Sequence, residues 1–181
     1  IVYGLPNTVG IIAKNQYQQG LKNGKGQIVA DDGTILSEFK LNDFGIAKTL
    51  FRPEQNQRYF VHLNFNGTVL KQEIEDIAYR GMVLSLSEIQ NNIILKLETD
   101  SKFYEQFKDK TFQIAAHSGS EMILSDFKLD ANGKSTIKLL KSDLFTGMNI
   151  FTVFTDSNKP LLERLYFNRS GIKQVQLSAM E

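Results

Sequence analysis

Residues 59–68 read YFVHLNFNGT, and this stretch decides the fold class. Every second residue from Tyr59 to Phe65 is apolar, which places these side chains on one side of an extended chain. His62 and Asn64 fall on the other side. Asn66-Gly67 follows at once, and this pair favours a tight hairpin turn because both residues tolerate positive φ. The stretch therefore predicts a half-buried strand and a hairpin turn.

The same period-two alternation recurs along the chain, for example at residues 93–97 and 112–116. Turn residues separate the alternating segments at 31–33 (DDG), 130–133 (DANG) and 156–160 (DSNKP), and each of these predicts a hairpin loop. The one helical candidate is 101–108, where Phe103 and Phe107 are four residues apart. Strands are therefore expected to dominate.

The number of alternating segments indicates two domains. We count about six strands before residue 75 and about seven after residue 80, whereas one sandwich of seven to nine strands uses about 100 residues. We predict an all-β chain of two tandem immunoglobulin-like antiparallel β-sandwiches. The first would span residues 1–76, with its first strand missing, and the second 77–169. Residues 170–181 would form a linker or begin a further domain.

Composition excludes several classes of function. With 21 Lys and Arg against 20 Asp and Glu, the formal charge is +1, too small to attract nucleic acid or an anionic membrane. No cysteine is present, which rules out disulfides, thiolate metal sites and cysteine nucleophiles. The longest apolar runs are a few residues long, and a membrane-spanning helix needs about 20. We predict no nucleic-acid partner, no cofactor and no transmembrane segment.

Residues that could carry catalysis are few. His62 and His117 each lie on the polar side of a predicted strand, without a carboxylate or second histidine at ligand spacing nearby. Ser118 and Ser120 are close to His117, but G-x-S-x-G is absent and a turn at a strand end explains the small residues. We assign no catalytic, cofactor-binding or metal-binding residue, and we predict that the chain is not an enzyme.

Two kinds of ligand deserve comparison with simpler explanations. The acidic turns at Asp31, Asp32, Asp126, Asp130 and Asn132 could offer oxygens to Ca²⁺, but they lack the spacing of a calcium loop, and hairpin turns use these residues for backbone reasons. The 13 Phe and 6 Tyr could stack on sugars, although no Trp is present. Most of the Phe residues fall on apolar strand faces, which favours core packing for Phe39, Phe65, Phe112 and Phe127.

Several segments of the chain together carry a family resemblance. In the first half they are residues 4–9 (GLPNTV), 11–14 (IIAK), 26–33 (GQIVADDG) and Phe39. In the second half they are residues 115–118 (AAHS), 143–149 (DLFTGMN) and, most distinctively, 154–167 (FTDSNKPLLERLYF). Over about residues 1–169 the chain resembles the tandem macroglobulin-like domains of large exported proteins of Gram-negative bacteria, some of which precede a receptor-plug domain of the TonB-dependent type.

The resemblance implies a role and no site. Some macroglobulin relatives trap proteases through a cysteine-derived thioester, and this chain has no cysteine, so that activity does not carry over. The implied role is a non-catalytic module of a larger envelope protein, in the periplasm or at the cell surface and associated with the outer membrane. It would meet a protein or surface-polymer partner through strand edges and grooves. The alternative is a carbohydrate-binding module with Tyr17, Tyr79 or Tyr104 as platforms.

The last hairpin contains one irregular position. Leu161, Leu165 and Phe167 can cover one face of the final strand while Arg164 lies on the other. Glu163 falls on the apolar side by strict alternation. We therefore expect a β-bulge there or a partner for its carboxylate.

Overall fold

The computed structural model describes residues 1–119 and 121–172, and within them the chain is all-β, as predicted. These described residues form thirteen strands and one α-helix, with a 3-10 turn at Lys141–Asp143. The strands are β1 (Asn7–Ile12), β2 (Lys25–Ala30), β3 (Ile35–Lys40), β4 (Ile46–Phe51), β5 (Tyr59–Phe65), β6 (Thr68–Glu73), β7 (Met82–Ile89), β8 (Asn92–Thr99), β9 (Phe112–Ser118), β10 (Glu121–Phe127), β11 (Lys134–Leu140), β12 (Gly147–Phe154) and β13 (Pro160–Asn168). The helix is α1 (Ser101–Phe107).

The chain divides into two compact units. Unit 1 comprises Ile1–Ser85 and Glu98–Phe103, and unit 2 comprises Leu86–Leu97 and the chain from Tyr104 onward. The division passes through the β7–β8 hairpin. The predicted domain limits, 1–76 and 77–169, stay predictions. The predicted linker or further domain at 170–181 lies mostly outside the described residues, which end at 172.

Unit 1 contains a sandwich of two antiparallel sheets. The strand order is β1-β4 in one sheet and β3-β2-β5-β6 in the other. Two core clusters each combine residues of both sheets: Ile28 and Tyr59 pack with Phe51 of β4, and Phe39 and Leu63 pack with Ala47 of β4. The alternation predicted the inward face, since Tyr59 and Leu63 of the 59–65 strand are both buried.

Tyr59 also fixes the loop that precedes its own strand. Its hydroxyl accepts the backbone N–H of Glu54 at 2.6 Å and is 3.1 Å from the carbonyl oxygen of the same residue. A tyrosine at the start of this strand, bonded to backbone a few residues upstream, is the tyrosine corner of immunoglobulin-like domains. The ring itself packs edge-on against Phe51, with centroids 4.9 Å apart.

The second sandwich has the strand orders β10-β9-β12-β13 and β11-β8-β7. Its buried residues come from both sheets: Ile93, Leu95 and Leu97 in β8, with Phe112, Ile114, Phe151 and Val153 in β9 and β12. A small cavity of about 40 Å³ lies between the sheets, bounded by Leu139 of β11 on one side and Phe151 on the other. Phe112 stacks on Phe127 at 5.4 Å, so both are core residues, as predicted.

The two strand orders have the same connectivity. If β1 to β6 are matched in order with β8 to β13, the sheet β1-β4 corresponds to the pair β8-β11. The sheet β3-β2-β5-β6 then corresponds to β10-β9-β12-β13. An immunoglobulin-like sandwich distributes seven strands between two sheets with Greek-key connections. Among the described residues the second set has seven strands and the first has six, because no strand there takes the place beside β1 that β7 takes beside β8.

The turn residues predicted where the chain reverses better than they predicted which strands pair with each other. The DDG, NG and DSNKP turns do join paired strands, namely β2–β3, β5–β6 and β12–β13. The DANG turn is different: it connects β10 to β11, which belong to different sheets, so the hairpin predicted there is wrong. Asp130 accepts the backbone N–H of Lys134 at 2.9 Å, which reverses the chain without specifying a neighbour for either strand.

The predicted helix is present as α1. Asp100 precedes it and accepts the backbone N–H groups of Lys102 at 2.9 Å and Phe103 at 3.1 Å, which is N-terminal capping. Phe103 is buried. No helix among the described residues has the length and apolarity needed to cross a membrane.

Candidate interaction surface

The outer face of the sheet β10-β9-β12-β13 carries a row of four side chains, one from each strand, of which three are apolar and the β9 member is His117. In the ladder register Met122 lies opposite His117, His117 opposite Ile150, and Ile150 opposite Leu165. Residues directly opposite each other in a ladder project to the same side. The row therefore forms one continuous strip on the side away from the core.

Neighbouring rows extend this strip. Met148 lies opposite Phe167 two residues along the strands, and Leu124 lies opposite Ala115 on the other side. We call the resulting surface the apolar face, and it comprises Met122, Leu124, Met148, Ile150, Leu165 and Phe167. Ile150 is half-buried, and the other five are between 45% and 62% exposed. Isolated exposed apolar residues are ordinary, whereas a contiguous patch marks a surface that meets something.

In the final strand the two faces alternate as predicted, but the face that we expected to be buried is the exposed one. Leu165 and Phe167 do share a face, as expected, yet this is the exposed face. Arg164 and Tyr166 point inward and are half-buried, and the Tyr166 ring lies 6.4 Å from Phe151. The sequence contained a signal for this exposure. Glu163 lies on the same face as Leu165 and Phe167, and glutamate is rarely buried in a core.

Glu163 has the partner that the sequence required. The Thr152 hydroxyl donates to its carboxylate at 3.2 Å, and the ladder between β12 and β13 shifts register next to Val153 and Phe154. His117 Nε2 lies 3.2 Å from the same hydroxyl. Because that hydroxyl donates to Glu163, its oxygen can accept a hydrogen bond from the His117 tautomer that carries its hydrogen on Nε2. A polar line, His117–Thr152–Glu163, therefore starts within the row at His117 and continues into the neighbouring row through Thr152 and Glu163.

This polar line holds the imidazole in place. Thr152 is buried, and its proton is already committed to Glu163, so its hydroxyl is not presented to a substrate. Ser118 follows His117 at the end of β9, and Ser120 lies outside the described residues. Sequence reasoning missed the line because its three members come from three strands and meet only through the ladder register.

The corresponding outer face of unit 1 is polar. A shallow groove of about 670 Å³ lies there, lined among others by Lys25, Lys40 and Asn64, and Gln27 donates to Glu38 at 2.8 Å within it. His62 lines the same groove, and its Nε2 is buried without a hydrogen-bond partner among the described residues. The two histidines therefore occupy outer sheet faces of opposite chemistry.

The acidic turn residues serve the backbone. Asp32 accepts the N–H of Thr34 at 2.8 Å, and this bond lowers the pKa of the Asp32 carboxyl. Asp130 bonds backbone in the same way, and Asp126 accepts from Gln113 at 3.1 Å. Among residues 1–119 and 121–172, no three His, Asp or Glu side chains are placed to hold a metal ion together.

Tyr17, Tyr79 and Tyr104 are the three alternative sugar platforms, and they belong to different elements. Tyr79 packs against Tyr3 with ring centroids 4.9 Å apart, beside the point where Val2 bridges to Ala78. Tyr17 is exposed in the loop that follows β1. Tyr104 is half-buried in α1. Carbohydrate binding by any one of them stays a prediction.

A second polar cluster lies at the β13 edge of the sandwich of unit 2. The Lys141 ammonium is paired with Glu88, and the Tyr166 hydroxyl donates to the same carboxylate at 3.0 Å. The bond from Lys141, followed by that from Tyr166, lowers the pKa of Glu88. Burial, followed by the bond to Glu88, raises the pKa of Tyr166. These groups line a depression of about 330 Å³.

Glu88 should make stability depend on pH at the acid end. Because the pKa of Glu88 is lower in the folded chain, the ionised carboxylate stabilises the fold at pH values above the unfolded pKa of about 4.3. This stabilisation is lost as the pH falls through the folded pKa. We expect Glu88→Gln to lower the melting temperature at pH 7, and we expect the gap to the unmodified chain to shrink as the pH falls below about 4.3. Melting curves between pH 3 and 7 check this, and a gap that stays constant with pH would contradict it.

Comparison with known proteins leaves the family open. No protein-family model and no curated protein matches the chain. Solved structures with partial likeness include a DUF3823 family protein from Bacteroides ovatus (9% identity, 87% of this chain and 95% of that one, TM-score 0.30). Others are the Yersinia pseudotuberculosis adhesin InvE (11%, 91% and 55%, 0.32) and a Salmonella alpha-2-macroglobulin reacted with methylamine (11%, 92% and 14%, 0.29). At these TM-scores the likenesses carry no argument about function, and the immunoglobulin-like fold rests on the strand order and the tyrosine corner.

Proposed function

We propose that this chain is a non-catalytic interaction module and that its apolar face docks a protein partner. The observation that carries the proposal is the set of six apolar side chains that strands β10, β12 and β13 place on one sheet face, five of them 45% to 62% exposed, with His117 of β9 between them. Protein interfaces have an apolar centre enriched in Met and aromatic residues, bordered by polar groups. The polar line from His117 to Glu163 lies between the apolar residues of β10 and those of β12 and β13, so it supplies polar groups to both parts of the face.

The composition of the apolar face favours protein over carbohydrate. Five of its six members are aliphatic, and Phe167 is the one aromatic ring among them. Aliphatic side chains gain most when they are desolvated against other apolar side chains, by about 25 cal/mol for each Å² of buried apolar surface. A sugar offers mostly hydroxyl groups to such a surface. A protein with a complementary apolar patch is therefore the better match.

The wider setting of the module is part of the same proposal. We place residues 1–76 and 77–169 as tandem sandwiches of the macroglobulin type in a larger exported protein, in the periplasm or at the cell surface. An outer-membrane uptake receptor system is the specific assembly we propose. What supports this setting is the sequence resemblance together with the repeated strand order.

Crosslinking from the apolar face tests the docking role. We expect a photo-crosslinking amino acid at Phe167 to give one dominant adduct with another protein, in cells that make the full protein. The matched control places the same group at Lys138, which is exposed on β11 in the other sheet. Mass spectrometry of the adducts identifies the species. Equal yields from both positions, or no protein adduct from position 167, would count against the proposal.

A variant that adds charge to the face provides the energetic test. Leu165→Glu places a carboxylate at the β13 end of the row, next to Ile150 and on the same strand as Phe167, and such a change at an interface residue costs about 2 kcal/mol or more of binding. The crosslink from position 167 should therefore fall by at least about tenfold. Because Leu165 is 62% exposed, the fold should be unaffected, and an unchanged melting temperature verifies that.

A further inference from the structure

Two lysines lie side by side on the outer sheet face of unit 1. Lys25 of β2 is directly opposite Lys40 of β3 in the ladder, so both side chains project to the same side. Like charges directly opposite each other in a sheet are destabilising. Both lysines are exposed, and neither forms an ion pair with a carboxylate among the described residues. The fold therefore gains nothing from this pair of charges.

The carboxylate on the same part of the face does not neutralise the two lysines. Glu38 lies two residues before Lys40 and so shares its side of β3. The Glu38 carboxylate accepts a hydrogen bond from Gln27 Nε2 at 2.8 Å, and it pairs with neither lysine. The groove of about 670 Å³ that Lys25, Lys40 and Glu38 line therefore holds more positive than negative charge.

The rest of the groove is polar and can exchange hydrogen bonds. Asn64 lies opposite Lys25 in the ladder between β2 and β5, and His62 lies opposite Gln27. The amide side chains of Asn64 and Gln27 each contain donors and an acceptor. His62 Nε2 is buried without a hydrogen-bond partner among the described residues, so a partner for it has to come from elsewhere. The groove thus combines two ammonium groups with several neutral polar groups.

The position of the groove in the sheet limits what can bind there. β2 and β5 are the two central strands of the sheet β3-β2-β5-β6, and each is paired along both of its edges. A peptide bound over them could not add a strand, so recognition has to come from side chains. Hydroxyl groups match the amides, and an acidic group matches the two ammonium groups. An oligosaccharide that carries carboxylates supplies both.

We propose that this groove binds an acidic oligosaccharide. A carboxylate of the sugar lies between the ammonium groups of Lys25 and Lys40, and ring hydroxyls bond the amides of Gln27 and Asn64. The charges that weaken the sheet are then the groups that hold the ligand. This site is in unit 1 and the apolar face is in unit 2, so either proposal can fail while the other holds.

Titration calorimetry on the full 181-residue chain tests the proposal. The probes are two acidic oligosaccharides, one of galacturonic acid and one of mannuronic acid. We expect at least one to bind, with an affinity that falls as salt is added, because the ammonium groups are exposed to water. The methyl-esterified form of the same oligosaccharide and a glutamate peptide of equal charge are the controls. Each lacks one of the two kinds of group and should bind at least about tenfold more weakly.

A set of lysine variants makes the test specific. Lys25→Gln and Lys40→Gln each remove one hydrogen bond to a charged group, so each should weaken binding by about tenfold. Lys48→Gln is the matched control, because Lys48 is exposed on β4 in the other sheet, and it should leave the affinity unchanged. Since Lys25→Gln also removes a repulsion, its melting temperature should equal or exceed that of the unmodified chain, which separates lost binding from unfolding.

The location of the sugar provides a further check. Shifts of the side-chain amide signals of Gln27 and Asn64 in NMR spectra should accompany binding. The proposal is wrong if neither acidic oligosaccharide binds, if the esterified form binds equally well, or if Lys48→Gln weakens binding as much as Lys25→Gln. Equal or tighter binding of the glutamate peptide would also overturn it, since an acidic protein segment would then be the better occupant.

Discussion

Replacing Phe151 with alanine is expected to unfold the second sandwich more easily than any other single truncation described here. Phe151 is fully buried on the central strand β12 and contacts the ring of Tyr166 and the cavity between the sheets. Removing a buried Phe side chain costs about 3–5 kcal/mol, because the transfer free energy is lost and a cavity remains. In a domain of this size, that lowers the melting temperature by about 12 °C or more.

Phe167 is the matched control for this substitution. It has the same side chain on the neighbouring strand, but it is half exposed on the apolar face. Phe167→Ala should change the free energy of unfolding by less than about 1 kcal/mol. Calorimetry gives the melting temperatures, and hydrogen exchange in β9 and β12 assigns the effect to this sandwich. Similar shifts for both variants would show that the inward and outward faces of the sheet are assigned wrongly.

Asn149→Ala is expected to have the second-largest effect. This asparagine is fully buried, and its amide donates to the carbonyls of Phe145 at 2.7 Å and Gly147 at 3.1 Å. Its oxygen accepts the N–H of Phe145 at 3.1 Å. The alanine variant would leave these buried backbone groups without partners, and each such group costs about 1–3 kcal/mol. We therefore expect a loss of about 3 kcal/mol in the free energy of unfolding, given partial access of water.

An exposed turn asparagine provides the comparison for Asn149. Asn132 lies in the DANG turn with its side chain in water, and Asn132→Ala should cost less than about 0.5 kcal/mol. Urea unfolding of both variants measures the difference, and exchange of the amides near Phe145 locates it. If Asn149→Ala costs no more than Asn132→Ala, the asparagine does not hold this loop.

The fold class could be predicted because side chains alternate between the two faces of a strand with a period of two residues. Tyr59 and Leu63 alternate with polar residues, and the structure buries both of them. Asn66 and Gly67 both adopt positive φ, as a tight hairpin turn requires. These signals are local, involving residues within ten positions of each other, so one sequence is enough to detect them.

The arrangement of the strands and the candidate surface could not be predicted in this way. Alternation separates two faces, but it does not say which of them another sheet will cover, and the final strand exposes Leu165 while it half-buries Arg164. The line from His117 to Glu163 joins residues up to 46 positions apart in the sequence through ladder registers that no local pattern encodes. Buried asparagines such as Asn149 were missed too, because asparagine ordinarily indicates a turn.

The two sandwiches use different residues to hold the loop that precedes the equivalent strands β5 and β12. In unit 1 the hydroxyl of Tyr59, at the start of β5, holds the preceding loop. In the second sandwich the topologically equivalent strand is β12, and the amide of Asn149 near its start holds the loop before it. A hydroxyl and an amide can each donate and accept hydrogen bonds, which is what a returning backbone segment needs.

The shared strand order, combined with outer faces of opposite chemistry, has a consequence for how such a chain can evolve. Glu38 and Gln27 occupy one outer sheet face, and Met122 and Leu124 occupy the corresponding face of the other sandwich. None of these four residues belongs to a core, so mutations can change them with little effect on the stability of the fold. One architecture used twice can therefore acquire two unrelated specificities by drift at the surface alone.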